Sequence, residues 1–271
     1  MIVDGKRIAQ QIYESLKEEV ALLPKAPVLA AITCAPNFET QKYLELKKRK
    51  AAEVGITLRV VELPDTVTTE EAVACVKAVL PQVDGIVVQL PFPAHIDREQ
   101  VLAAVPAEKD PDGFSYGTAT AACVPPVVGA IKAIADEYHI NLAAAQAVVL
   151  GQGRLVGAPA AHYLHSIGAG VTTLTEENQH DLGLIKVADV IISGIGKPHF
   201  VTLDMIQSGV VIFDAGTSED GGVMAGDVHP EVATVARLYT PVPGGIGPIT
   251  IAVLLSNLVT LVKSGIKAEN I

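Results

Sequence analysis

Ala147-Val148-Val149-Leu150-Gly151-Gln152-Gly153-Arg154-Leu155-Val156-Gly157 is the stretch on which the fold turns. Ala147 to Leu150 are apolar and read as a strand, Gly151 begins a glycine-rich turn, and residues 158–167 read as a helix. A strand, a tight turn and a helix in that order open a βαβ unit. Glycine permits the turn and lets a pyrophosphate approach the helix N-terminus, where free N–H groups and the helix dipole favour anions. The spacing here is GxGxxxG rather than GxGxxG, so an ordinary βα turn fits the same residues.

Outward from this turn the pattern recurs. Strands are expected over 170–174, 190–193 and 210–214, making a second βαβ set, and an apolar helix over 249–264. Upstream, an amphipathic helix over 5–23 places Ile8, Ile12, Leu16 and Val20 on one face. Strands over 28–34, 57–63 and 85–90 alternate with helices over 40–54, which Gly55 stops, and from Thr68 or Thr69 to about residue 80. A short helix over 101–105, a loop over 106–118 and a helix over 127–138 complete the chain. Strands alternating with helices predict an α/β protein with a mostly parallel sheet.

The composition agrees. The 271 residues suit one large or two modest domains, 49% are hydrophobic, and with 4% aromatics and no Trp the cores must be aliphatic. A net charge of -10 argues against a general nucleic-acid binder, although nine of the twenty Lys and Arg fall in the first fifty residues. Three cysteines without a CxxC pair predict a reduced, cytoplasmic chain with no zinc or other metal site. The N-terminus lacks a basic-then-apolar leader, and the apolar runs contain Gly or Pro and are too short for a bilayer, so no membrane segment is expected.

Four short segments carry side chains with possible chemistry. Tyr43 and Lys47 are four apart on a predicted helix and share a face, although the spacing alone favours a solvated basic helix. Gln89-Leu90-Pro91 ends a strand, where parallel sheets bind ligands, and Gln89 is either a substrate or lysine partner or a polar strand end. Lys109-Asp110-Pro111-Asp112-Gly113 sets two carboxylates in what is otherwise ordinary turn chemistry. Thr240-Pro241-Val242-Pro243-Gly244-Gly245-Ile246-Gly247-Pro248-Ile249-Thr250 holds three Pro and three Gly and reads as a shaped backbone wall over a ligand or a plain linker. After the strand over 170–174, Thr175, Glu176 and Glu177 offer either an acceptor for an adenosine ribose or a solvated acidic loop.

Taken in order, these segments resemble the methylenetetrahydrofolate dehydrogenase/cyclohydrolase family: Asp4-Gly5-Lys6, Tyr43 with Lys47, Val88-Gln89-Leu90-Pro91, Lys109-Asp110 with Asp112-Gly113-Phe114, Val156-Gly157-Ala158-Pro159, Gly226-Asp227-Val228, and residues 240–250. The last differs from the family's TPVPGGVGPMT only by Val to Ile and Met to Ile. The resemblance implies a two-domain α/β protein: a folate-binding catalytic domain over 1–123 plus 253–271, and a Rossmann-like NAD(P)-binding domain over 124–252, with a cleft between them. It implies a homodimer acting on a tetrahydrofolate-derived substrate. The family oxidises methylenetetrahydrofolate to methenyltetrahydrofolate by hydride transfer to a nicotinamide, then hydrolyses the product to formyltetrahydrofolate.

Carried over by position, Lys47 is the general acid/base of hydrolysis, Tyr43 stacks along the folate, and Gln89 hydrogen-bonds Lys47. Leu90 and Pro91 line the substrate site, Asp112 binds the pterin amine and amide edge, and Pro243 and Gly244 line the folate and nicotinamide pocket. A cationic methenyl substrate beside the lysine eases its loss of a proton. The implied cofactor residues are Gly151, Gln152, Gly153, Val156, Gly157, Glu176, Gly194, Ile195, Gly216 and Gly245. NADP is the family default, but several departures bear on it or on the fold around it. The family's GRS turn is Gly151-Gln152-Gly153 here, which loses an arginine that often meets the NADP phosphate, and Glu176 falls where the family has serine. Its PCTPxG is Ala122-Cys123-Val124-Pro125-Pro126-Val127, and Thr40 stands for its serine. Losing a cation and gaining an anion lean toward NAD. A hydrolase-only member with a decayed dinucleotide site and a non-catalytic folate-binding protein are the alternatives.

Overall fold

The computed structural model describes residues 1–118, 120, 122–175, 182–220 and 223–269. The chain forms two compact units, residues 1–10 with 126–250 and residues 11–125 with 251–271. It passes from one to the other within α1 (Gly5–Ala21), near residue 125, and within the C-terminal helix.

In the second of these units β1 (Val28–Cys34) leads through α2 (Phe38–Glu53) to β2 (Thr57–Leu63), then through α3 (Thr69–Val79) to β3 (Gly85–Val88), followed by α4 (Arg98–Ala103). The three strands are parallel in the order β2-β1-β3. The central β1 is buried from Leu29 to Cys34, as a parallel strand covered on both faces must be. Its Ala30 and Ile32 pack with Ala72 and Val76 of α3 and with Ile86 and Val88.

Caps explain where these helices begin. Asn37 is the cap of α2, its side chain accepting the Thr40 N–H at 2.8 Å, so the helix starts before the expected residue 40. Thr68 and Glu71 form a reciprocal capping box on α3. Asp97 caps α4 by accepting from the Glu99 and Gln100 N–H groups, so that helix starts and ends earlier than the expected 101–105.

The other unit holds α5 (Pro126–Glu137), β4 (Gln146–Leu150), α6 (Gly157–Ser166), β5 (Gly170–Leu174), α7 (Leu182–Lys186), β6 (Val190–Ser193), β7 (Val211–Asp214), the hairpin of β8 (Ser218–Asp220) and β9 (Val223–Ala225), and β10 (Leu238–Tyr239). Its five-stranded parallel sheet runs β10-β7-β6-β4-β5. The sequence pattern did not predict α7, β8, β9 or β10, all five residues or shorter.

The first ten residues, expected in the folate-binding domain, pair with an edge of the five-stranded sheet: Val3 N–H donates to Tyr239 O and Tyr239 N–H to Met1 O, both at 2.9 Å, beside a parallel Ile2–Tyr239 bridge. Main-chain pairing at a free strand edge decides their place. The apolar runs are also not all short. The last helix, α8 (Ile246–Glu269), is long and apolar enough over Ile246–Ile266 to cross a membrane by length and composition. Gly247, Pro248 and Gly265 do not interrupt it because they lie near its ends, where proline's missing N–H costs little. Its apolar residues are core residues: Ile249, Ile251, Leu254, Leu255, Leu258 and Leu261 are buried.

Candidate active site

In each sheet the chain leaves a central strand toward one neighbour and later returns on the other side. The strand is β1 in one unit and β4 in the other, and each makes a switch point at the carboxyl ends of its strands. Open parallel sheets bind ligands there.

At the β1/β3 switch point, Ala35 adopts a left-handed φ of 42° in the turn toward α2. One turn apart on α2, Tyr43 and Lys47 share a face, and that face is turned inward. Lys47 is only 5% exposed. Its ammonium donates to Gln89 Oε1 at 2.9 Å and lies 4.8 Å from the centre of the Tyr43 ring. Gln89 extends β3, its N–H donating to Ile32 O at 2.8 Å. Its side-chain Nε2 donates to Leu90 O at 3.1 Å, which orients Oε1 toward the lysine. The Leu90–Pro91 peptide is cis.

The two carboxylates after Lys109 do different things. Asp110 is buried and builds the turn, accepting the Gly113 N–H at 3.0 Å and the Phe114 N–H at 2.6 Å. Burial pushes its pKa up, and those N–H groups pull it back. Asp112 is pushed up to about 6 by burial; nearby Lys47 lowers it and Asp110 raises it. Asp112 is therefore in electrostatic reach of the lysine. Lys109 is structural: its ammonium donates to Leu80 O at 2.7 Å and Val83 O at 2.6 Å.

At the β4/β6 switch point lies a groove of about 530 Å³. Gly151, Gln152, Gly153, Gly194 and Ile195 line it, as does Thr175 of the segment after β5, and so do Leu150, Leu174, Ile185, Lys197 and Phe200, which sequence reasoning missed. Val156 and Gly157 shape the turn instead. A Cβ on Gly157 would strike Gly151 O, and one on Gly194 would strike the Val156 side chain, so these glycines let helix and strands approach. Gly153 has open space where its Cβ would be. The N-terminus of α6 has no side-chain cap. The Ala158 N–H donates to Gly153 O at 3.1 Å, and a helix start without a side-chain cap above glycines at a switch point fits a dinucleotide pyrophosphate. Glu176 lies outside the described residues.

Gly216 packs against Asp227, and Gly245 against Thr240 and Pro241 O, neither lining the groove. In the proline-rich loop the Val242–Pro243 peptide is cis, and Gly244 takes a φ of 109° while its carbonyl accepts the Gly5 N–H at 3.0 Å. A Cβ on Gly5 would collide with Gly245 O, which accounts for the glycine of Asp4-Gly5-Lys6.

Two family models match the chain: the tetrahydrofolate dehydrogenase/cyclohydrolase catalytic domain over residues 3–112, and the NAD(P)-binding domain of the same enzymes over residues 123–265. The bifunctional protein FolD of Mycoplasmopsis synoviae is 35% identical over 278 residues, covering 97% of this chain and 99% of that protein. The crystal structure of the bifunctional FolD methylenetetrahydrofolate dehydrogenase/cyclohydrolase from Campylobacter jejuni superimposes with a TM-score of 0.92 at 33% identity, covering 98% of this chain and 99% of the other. The Trypanosoma brucei enzyme, complexed with NADP cofactor and an inhibitor, gives 0.91 at 32% identity and 98% coverage of each chain.

Proposed function

The chain belongs to the tetrahydrofolate dehydrogenase/cyclohydrolase family, and on that premise we propose that it oxidises methylenetetrahydrofolate to methenyltetrahydrofolate with NAD(P) and hydrolyses the product to formyltetrahydrofolate, in one-carbon metabolism. The observation that carries the reading is the buried Lys47 ammonium held by Gln89 Oε1 at 2.9 Å. A solvated basic helix would not bury a lysine, since desolvating a charge costs several kcal/mol unless polar partners compensate.

Lys47 is the general acid/base of hydrolysis. As the neutral amine it accepts a proton from the attacking water, and as the resulting ammonium it returns that proton to the departing ring nitrogen. Gln89, held by Leu90 O, fixes the direction of the Lys47 side chain. Tyr43 stacks along the folate, with Leu90 and Pro91 beside it, and ionised Asp112 accepts from the pterin amine and amide N–H groups. The Gly151 and Gly153 backbone and the start of α6 hold the dinucleotide, whose nicotinamide supplies the hydride acceptor when bound. Gln152 in place of arginine leans the choice toward NAD. The enzyme works in the cytoplasm as a homodimer.

An absorbance assay with methylenetetrahydrofolate and either NAD or NADP, run beside methenyltetrahydrofolate hydrolysis, tests this. Both activities with NAD favoured are expected. Hydrolysis alone would leave a hydrolase-only enzyme, neither activity would leave a folate-binding protein, and strong NADP preference would sink the NAD assignment.

A further inference from the structure

The loop that leaves β6 is held from beneath by a carboxylate that does not line the groove. Asp227 is 0% exposed. Its Oδ2 accepts from Ser193 Oγ at 2.7 Å and from the Ile195 N–H at 2.8 Å, and its Oδ1 accepts from the Lys197 N–H at 2.9 Å. Ile195 and Lys197, with Gly194 before them, wall the groove. Asp227 is fixed in turn, its own N–H donating to Asp214 Oδ1 at 3.1 Å. Asp214 also holds the Gly216 N–H and the Val228 N–H, both at 2.9 Å. Gly216 lacks a side chain because Asp227 occupies that space. Two buried carboxylates thus bind main-chain donors from the loops after β6 and β7, and such an arrangement persists only where hydrogen bonds replace lost water.

We infer that Asp227 is a positioning residue for the dinucleotide: through Ser193, Ile195 and Lys197 it sets the conformation of the 194–197 loop and so the shape of the groove. This rests on the reading of that groove as the dinucleotide site. An ordinary packing role would make stability depend on Asp227 and leave dinucleotide affinity untouched in whatever protein folds. Positioning separates the two, because the loop's donors face the carboxylate while its other side faces the ligand.

The test uses the full chain and Asp227→Asn. The amide puts an NH₂ where an oxygen accepted, so at least one loop N–H loses its acceptor. Titration calorimetry with NAD and NADP should show affinity weakened about tenfold or more, the scale of one lost charge-assisted hydrogen bond. Methenyltetrahydrofolate hydrolysis, measured without dinucleotide, should persist. Ser193→Ala removes a single donor and should weaken dinucleotide affinity by less, again with hydrolysis kept. Folded Asp227→Asn protein binding the dinucleotide as tightly as the parent overturns the inference, and so does a parallel loss of binding and hydrolysis. If that variant does not fold, an unchanged affinity in Ser193→Ala overturns it. A parent that binds neither dinucleotide defeats the groove assignment itself and this inference with it, whereas binding that both variants leave intact defeats the inference alone.

Discussion

The two sheets share a topological device and furnish it in opposite ways. At the β1/β3 switch point the proposed functional groups are side chains: Lys47, Gln89, Tyr43 and Asp112, with the lysine buried against the glutamine. At the β4/β6 switch point the proposed functional surface is largely main chain: Gly151 and Gly153 in the turn, the start of α6 without a side-chain cap, and a loop pinned by Asp227. The first is a site made by atoms that are present, the second by atoms that are missing. The first should therefore fail when atoms are removed, and the second when atoms are added.

The largest expected effect tests the first half. Lys47→Met keeps the bulk of the stem and removes the acid/base, so hydrolysis should fall by about 10²- to 10⁴-fold. Dinucleotide binding and the thermal midpoint should hold. Hydrolysis at the parent rate would end the assignment of Lys47. The matching change in the second half is Gly157→Ala. Its methyl would meet Gly151 O, a backbone atom that cannot rotate away, so the turn must shift. A stability loss of about 1–3 kcal/mol is expected, with dinucleotide affinity falling and hydrolysis retained. Gly153→Ala is the control, because nothing lies within 4 Å of its Cβ position; its stability should stay within about 0.5 kcal/mol of the parent. Equal stability in the two alanine variants would break the contrast.

The same contrast governs what could be read in advance. β1, β2, β5 and β6 were legible to the residue, because each is an apolar or β-branched run between turn formers. The i,i+4 spacing of Tyr43 and Lys47 told that they share a face, but not that the face is buried; that depends on β1 and β3, and Gln89 lies 42 residues away. Only the family resemblance pointed inward. Lys109 was opaque for a similar reason, its acceptors lying 26 and 29 residues upstream. In the unit of the five-stranded sheet the glycine turn was plain, but the carboxylates beneath the 194–197 loop were not, because Asp227 reaches back 34 residues to Ser193 and no local spacing encodes that. The hairpin of β8 and β9 was hidden by its length, three residues a strand.

A smaller effect should separate the halves by pH. Asp112 is pushed up from the usual carboxylate range to about 6. Pterin binding as proposed needs the ionised form, which predominates above that pH and declines tenfold per unit below it. The Michaelis constant for the folate substrate should therefore rise as pH falls through about 6, while dinucleotide affinity stays flat. Asp112→Asn should weaken binding and abolish that slope; a slope that survives would move the titration to another group. The sign for stability is opposite. The native state holds this proton more tightly than the unfolded chain, so the contribution of Asp112 to stability falls as pH rises from about 4 to about 6.

The smallest expected effect concerns the lip of the groove. Gln152 lines it and is exposed. Gln152→Arg adds a permanent cation where the family's turn carries one. It adds no atoms against the backbone, so the turn should keep its shape and the stability should not move. A charge-assisted bond to a phosphate is worth about 1.5–3 kcal/mol when sheltered, and an exposed pair about 0.2–1 kcal/mol. The exposure of residue 152 places the gain in the lower range. The ratio of kcat/KM for NADP to that for NAD should then rise by roughly 1.4- to fivefold, the conversion of that energy. Raised ionic strength should shrink the gain, since screening acts on exposed charges. A ratio unmoved at low salt would place the ribose away from Gln152, and the selectivity of this half would then have to come from a position other than the glycine turn.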